Sequence, residues 1–310
     1  MRVSVVLCTH TLERYDDFLE AVGSVREQTY DDIELVVVSD GSPEVADRYR
    51  ADFGDDEDIV IVELTQNRGL LRARNEGAEA ANGDVVAFLD DDAVAEAEWI
   101  AGLVDAYRTH DVLAAGGKMI PKWVTGQPGF LPDEFYWLIG VTHRGFGPGG
   151  DRDTAGEVRN TNGSNLSFRR DVFRELGGFD TEIGGRRGDA NLQGGETELC
   201  ARLRSEFDSG VWYNPEAVVA HKVFDYRTDP WWLLDRAFWQ GYSKRAMETL
   251  VDGSTTEETA FLRALATRFF PQRLQGLATD PSRGKIAQLV SLIVFTGVVG
   301  AGYLYGAIRY

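Results

Sequence analysis

At 310 residues the chain is long enough for one sizeable core, or for one and a half domains. Fifty Asp and Glu against thirty-two Lys and Arg leave a net charge of −18, which argues against nucleic acid as a partner and against broad attraction to anionic lipid. Only Lys118, Lys122, Lys222, Lys244 and Lys285 are lysines; an acidic, lysine-poor composition points to a protein kept soluble in concentrated salt, as in a halophile, where self-repulsion is screened.

In chain order, Val3–Leu7 is a continuous apolar run that predicts a buried strand, followed by polar Thr9-His10-Thr11. Phe18, Leu19, Val22 and Val25 carry a helical period. Ile33–Val38 is a second strand ending in Ser39-Asp40-Gly41-Ser42-Pro43, Val45–Phe53 a short helix, and Ile59–Leu64 a third strand. Asn67-Arg68-Gly69 precedes a helix over Leu70–Ala81 that Asn82-Gly83 ends. Val85–Leu89 is a fourth strand. Strands alternating with helices predict a parallel sheet with crossovers. There is no Gly-x-Gly-x-x-Gly after the first strand and no Gly-x-x-x-x-Gly-Lys, which disfavours dehydrogenase-type dinucleotide binding and a P-loop.

The fourth strand ends in Asp90-Asp91-Asp92. Open α/β sheets bind ligands at the carboxyl ends of their strands, and three adjacent acids there call for something positive. A divalent cation bridging to a ligand phosphate meets that need. The alternative is a solvated acidic turn before a helix at Glu96–Tyr107.

Residues 121–158, rich in Gly, Pro and aromatics, read as a long irregular binding loop. Thr161–Phe168 reads as a strand, Asp171–Leu176 as a helix, Gly184–Gly195 as a charged Gly-rich loop and Glu196–Arg204 as a helix. Cys8 on a strand and Cys200 on a helix lack ligand spacing and read as buried, reduced thiols. The N-terminus lacks a basic segment followed by an apolar one, so no signal peptide is expected. Residues 228–280 read as helical and rich in Trp and Arg. From Ile286 to Ile308 there is no charged residue; as a helix this run spans about 34 Å. Arg263, Arg268, Arg273, Arg283 and Lys285 precede it and Arg309 follows, a bias that keeps the N-terminal part cytoplasmic. The run reads as a single C-terminal membrane anchor, with a buried core helix or a re-entrant segment as alternatives.

Thr9, Asp40 and Asp90–Asp92 each end a strand. Together with Asn67-Arg68-Gly69, Gly163-Ser164-Asn165 and Glu196, in that order, they resemble the family 2 glycosyltransferases of the GT-A fold. The resemblance covers about Val3 to Val223. It implies an α/β fold with a mostly parallel sheet flanked by helices. It also implies a catalytic domain over 1–225 (a nucleotide-sugar half over 1–118, an acceptor half over 119–225); beyond it, composition and the charge-free run predict a membrane-proximal helical region over 226–284 and a transmembrane or membrane-embedded helix over 285–308.

By resemblance, Thr9 and Asp40 contact the base and ribose of the donor, and His10 stands where many members carry a Tyr that packs on the base. Arg74, in Ala73-Arg74-Asn75, lies on the helix near the nucleotide, and Arg68 is a second candidate of that kind. Asp90 and Asp92 form the Asp-x-Asp signature, with Asp90 near the ribose, Asp91 between them, and Asp92 on the Mg²⁺ or Mn²⁺ that neutralises the departing diphosphate. His221 matches a histidine that completes the metal shell or contacts the diphosphate. Glu196, aligned on Leu199 of the family's Gly-Glu-Asp-x-x-Leu, takes the place of the catalytic base, at a helix N-terminus that favours negative charge. Glu198 is the alternative. Two departures stand out: Ser39 replaces an Asp, and Gly195 stands where Glu is common. The Gln-x-x-Arg-Trp of processive synthases is missing, which favours one sugar per encounter.

The resemblance extends to haloarchaeal enzymes that build the surface-layer N-glycan on dolichol phosphate. It implies an inverting transferase that moves a hexose or hexuronic acid from a nucleotide sugar, UDP-linked, to a dolichol-phosphate-linked acceptor at the membrane. Loop arginines such as Arg144, Arg186 or Arg187 are candidates to pair with a glucuronate carboxylate. A dolichyl-phosphate monosaccharide synthase and a non-catalytic nucleotide-sugar-binding scaffold are the other readings.

Overall fold

The computed structural model describes residues 1–187, 190–250 and 256–309. The side chains of Arg186 and Arg187 lie outside what is described. The chain divides into two compact units: residues 1–120, 154–182 and 195–222 form the first, and residues 121–153, 183–194 and 223–310 the second. Segments 121–153 and 183–194, which fall inside the expected catalytic domain of 1–225, therefore cluster with the C-terminal helices.

The first unit is built on one sheet. Its strands are β1 (Val3–Thr9), β2 (Ile33–Asp40), β3 (Ile59–Leu64), β4 (Val85–Asp90), β5 (Ala93–Ala95), β6 (Ala114–Trp123), β7 (Gly156–Val158), β8 (Leu166–Arg169) and, past two short strands of the second unit, β11 (Val211–Val223). The order is β3-β2-β1-β4-β8-β6-β11-β5, with β7 beside β11. Strands β3, β2, β1 and β4 pair in parallel, while β8 pairs antiparallel with β4 and β6. The parallel strands are apolar on both faces because helices cover both. Val3, Val5 and Leu7 of β1 join one core cluster and Val6 and Cys8 the other, as the strand's period of two requires.

Helix α1 (Tyr15–Arg26) buries Tyr15, Phe18, Val22 and Val25, one face of a 3.6-residue period, against Tyr49 and Phe53 of α2 (Pro43–Phe53). Ser42 caps α2, its hydroxyl accepting from Val45 N, and Pro43 opens it. On the other face lies α3 (Leu70–Ala80), with Ala73 and Ala78 in the second cluster. Helices α4 (Trp99–His110), α5 (Arg170–Glu175) and α6 (Gly195–Phe207) complete the unit. Cys8 and Cys200 are free and buried, and burial pushes both thiols far up.

The strand expected over Thr161–Phe168 begins only at Leu166. Residues Gly163–Asn165 form a 3₁₀ turn instead, because the Asn162 side chain accepts from Ser164 N at 2.9 Å. The Asn165 amide is spent on Ala217 O, and its carbonyl oxygen accepts from Trp99 Nε1 at 2.8 Å.

In the second unit, the segment expected to be irregular holds a 3₁₀ helix over Asp133–Ile139, whose Phe135, Leu138 and Ile139 are core residues. In the Gly-rich segment expected to be a loop, β9 (Gly185–Arg187) pairs antiparallel with β10 (Ala190–Leu192). The helical tail is broken into α7 (Pro230–Leu250), α8 (Thr256–Ala264), a π-helical turn over Leu265–Phe269, α9 (Phe270–Thr279) and α10 (Arg283–Arg309). Glu134 is fully buried; Arg273 donates to both its oxygens, and Arg144 Nη1 lies 3.3 Å away. Arg144 also donates to Gln272 and stacks over Phe269. Its guanidinium is engaged inside the unit, in place of the expected availability to a sugar carboxylate.

Candidate active site

The site grows from the carboxyl edge of the parallel strands. Register pairs Cys8 with Asp90 and Thr9 with Ser39, so Thr9, Asp40 and Asp90 end their strands along one edge. Asp40 is buried, and its two oxygens accept from Arg68 N at 2.9 Å and Gly69 N at 3.0 Å. It thereby shapes the turn that launches α3. Arg68 joins through its backbone, with its side chain exposed, and His10 is exposed just past β1.

Asp91 and Asp92 are buried, 8% and 3% exposed, which rules out the solvated acidic turn. Buried carboxylates need partners. Arg14, just before α1, supplies one: Nη1 lies 3.2 Å from Asp92 Oδ2 and Nη2 lies 3.6 Å from Asp91 Oδ1. Burial raises the Asp91 carboxyl above the usual range, while Arg14 and the Thr9 hydroxyl oppose the rise and Asp92 and Asp90 add to it.

His221 arrives by strand pairing. Residue 221 of β11 pairs with Ala93 of β5, and Lys222 N donates to Asp92 O at 2.8 Å. His221 Nε2 then stands 3.3 Å from Asp92 Oδ1. One ligand atom each from Asp90, Asp92 and His221 falls within 4.8 Å of the others. Two carboxylates and one imidazole within that span suit a hard-to-borderline divalent ion such as Mg²⁺ or Mn²⁺.

Arg74 is 2% exposed and forks between two acids: Nη2 donates to Asp90 Oδ1 at 2.6 Å and Nη1 to Glu196 Oε1 at 3.2 Å. Its guanidinium lies over the rings of Phe88 and Phe179. Burial alone would lower its pKa, but Asp90 and Glu196 outweigh it and hold the group above its ordinary value. Arg74 thus couples the strand-end acid to the first turn of α6.

Glu198, the alternative base, is held bidentate by Arg202 at 2.6 and 2.7 Å, and Arg202 also donates to Gly178 O. Ser164 Oγ accepts from Asp90 N at 2.9 Å, so the Gly163–Asn165 turn braces the same strand end. A Cβ at Gly163 would overlap Glu196 Oε1 and sit 2.5 Å from Arg74 Nη1. Gly163→Ala is therefore expected to shift the Glu196 carboxylate a fraction of an ångström and to lower turnover by about 10–100-fold, with folding intact. Steady-state kinetics beside a thermal melt would check this; unchanged kcat would mean the Glu196 carboxylate is not held in place.

Sequence reading missed Arg14, although the acid triplet signalled the need for a positive charge. The Ala73-Arg74-Asn75 motif gave Arg74 a place on the helix near the nucleotide; the partners of its guanidinium, Asp90 and Glu196, are visible only in the structure.

A Rossmann-like parallel half, an acidic strand edge with a histidine and a carboxylate on the first turn of a helix are the marks of a glycosyltransferase of the GT-A fold. The profile of the family described as "Glycosyl transferase family 2" matches residues 4–177, and the chain belongs to that family of enzymes. A Haloferax volcanii protein described as "Glucosyl-dolichyl phosphate glucuronosyltransferase" is 48% identical over 307 residues, covering 99% of this chain and 96% of that one. Among solved structures, a mannosyltransferase from Pyrobaculum calidifontis, in complex with GDP-Man and Mn²⁺, superposes with a TM-score of 0.61 at 18% identity over 98% of this chain and 87% of that one. Staphylococcus aureus TarS in complex with UDP-GlcNAc gives a TM-score of 0.54 at 15% identity over 96% and 82%. These two likenesses bear on the fold.

Proposed function

We propose that this chain transfers glucuronic acid from UDP-glucuronate to a glucosylated dolichyl phosphate. The step would extend the lipid-linked glycan used for protein N-glycosylation of a halophile's surface layer, with the catalytic unit on the cytoplasmic side of the membrane. Near-full-length similarity to the Haloferax volcanii transferase supports the donor sugar and the acceptor. The acidic, lysine-poor composition supports a high-salt setting, and the charge-free run of α10 supports a membrane location.

The observation that carries the chemistry is the Arg74 fork, which holds Glu196 beside the Asp90–Asp92–His221 cluster. Asp92, His221 and Asp90 would hold a Mg²⁺ or Mn²⁺ ion, which when bound neutralises charge on the departing diphosphate. Thr9, His10, Asp40, Arg68 and Asp91 line the donor side. Glu196 takes the proton from the acceptor hydroxyl as its oxygen attacks the anomeric carbon. The bond from that carbon to the diphosphate breaks, UDP carries away the electron pair, and configuration inverts. Arg74 keeps Glu196 oriented, and Arg14 adds positive charge beside the carboxylates.

The test is transfer of radiolabelled glucuronate from UDP-glucuronate to a short-chain glucosyl-dolichyl phosphate, in molar KCl and detergent with and without Mn²⁺. Label in the lipid phase is expected only with both substrates and the cation. Transfer directly onto dolichyl phosphate would establish the synthase reading instead. In calorimetric titration, Asp92→Ala is expected to weaken Mn²⁺-dependent UDP binding at least ~10-fold, since the variant loses a charged ligand. Equal binding by the variant would remove Asp92 from the metal site.

A further inference from the structure

Helix α10 is not a free-standing rod. Its C-terminal half lies on α7 at close range: a Cβ at Gly302 would overlap Phe238 O, and one at Gly241 would overlap Val299 O. Tyr303 OH donates to Glu248 Oε2 at 2.6 Å, and Arg245 pairs with the same carboxylate at 2.7 Å. Nearer its start, Gln288 Oε1 accepts from Arg273 Nη1 at 2.8 Å, and Arg273 is bound to Asp133 and Glu134. Leu292 and Phe295 are buried in the core of the unit. One side of the helix is thus fixed to protein from Gln288 to Gly306.

The other side is bare. Ile286, Val290, Ile293, Val294, Leu304 and Ile308 are exposed, Leu304 by 65% and Ile308 by 84%. They recur at helical spacing, and no charge interrupts the stripe over about 33 Å. A patch of that length is not left to water in a soluble protein.

Crossing a bilayer would carry α7 along or tear α10 away from it. Over Asp235–Glu248, α7 bears Asp235, Arg236, Lys244, Arg245 and Glu248, and charges in hydrocarbon are costly. Lying flat costs neither. Charge favours the same unit: the second unit holds fifteen basic and thirteen acidic residues, against seventeen and thirty-seven in the first. An anionic headgroup layer repels the bulk of the chain and tolerates this part, and Arg283, Lys285 and Arg309 stand at the ends of the stripe.

We propose that α10 is an in-plane docking helix whose exposed apolar stripe seats in one leaflet of an anionic lipid bilayer without crossing it. This rests on the reading of the chain as a transferase with a lipid-borne acceptor, and it keeps such an acceptor within the plane that the enzyme occupies.

Ser282→Cys and Arg309→Cys mark the two ends, and buried Cys8 and Cys200 give little background. With a membrane-impermeant maleimide, both introduced thiols are expected to label in the same population of oriented membrane vesicles. Labelling in opposite populations means that α10 spans, and overturns the proposal. Separately, the double variant Ile293→Glu/Leu304→Glu is expected to bind phosphatidylglycerol–phosphatidylcholine vesicles at least ~10-fold more weakly in flotation, while keeping its transfer activity in detergent. Unchanged flotation overturns the stripe as the docking surface. Failure of the wild-type chain to transfer in detergent, with flotation intact, would strike the proposed function and leave the docking surface standing.

Discussion

Glu196→Gln is expected to reduce transfer by about 10²–10⁴-fold while UDP binding stays within about twofold of wild type. The substitution keeps size and shape, and the amide oxygen can still accept from Arg74 Nη1, so the fork and the first turn of α6 survive. What is lost is the ability to take a proton. Single-turnover transfer to the glucosyl-lipid beside calorimetric UDP binding reads the two effects separately. Glu198→Gln is the control. Its carboxylate is spent on Arg202, which also ties Leu176 O and Gly178 O, so that variant should lose stability more than turnover. If Glu196→Gln transferred within a fewfold of wild type, no base would be needed there. A phosphate nucleophile, which is already ionised, would then become the better account of the acceptor.

Arg74→Met is expected to cost about 3 kcal/mol or more of unfolding free energy and most of the activity. The guanidinium is buried between Asp90 and Glu196 and over two aromatic rings. Methionine fills the volume but leaves two carboxylates facing each other with no cation between them. Arg74→Lys restores charge at one point and cannot fork to two acids. It should recover much of the stability while kcat stays low and KM for the nucleotide sugar changes little. Chemical denaturation and steady-state kinetics on the two variants give the comparison. A methionine variant as stable as wild type would mean that the Arg74 fork contributes nothing net. A lysine variant with wild-type kcat would mean that it does not position Glu196.

The strand–helix alternation of the first half was legible because each strand is an apolar run closed by polar residues and each helix has one apolar stripe. The observed bounds differ from the expected ones by a few residues at most for β1 to β4 and α1 to α3. The strand expected at Thr161 was misread because the side chains of Asn162 and Asn165 bond locally and across the sheet. Such bonds make a turn of a segment whose composition allows a strand. The helix at Asp133–Ile139 was missed because a 3₁₀ turn carries no 3.6-residue period and its Gly- and Pro-rich flanks read as loop.

The sequence by itself determined the class of enzyme. Strand-terminal acids in a fixed order, with a carboxylate opening a later helix, are local features that survive without coordinates. Which groups meet was decided only by tertiary structure. Arg14 reaches the triplet across 78 residues of chain, His221 reaches Asp92 through the β5–β11 register, and Arg74 and Glu196 are 122 residues apart. The same holds for α10, whose charge-free run is visible in the sequence while its fixed face against α7 is not. The physical reason is common to all four. A buried charge or a close helix contact depends on partners brought together by packing, and the spacing of residues along the chain does not encode that partner.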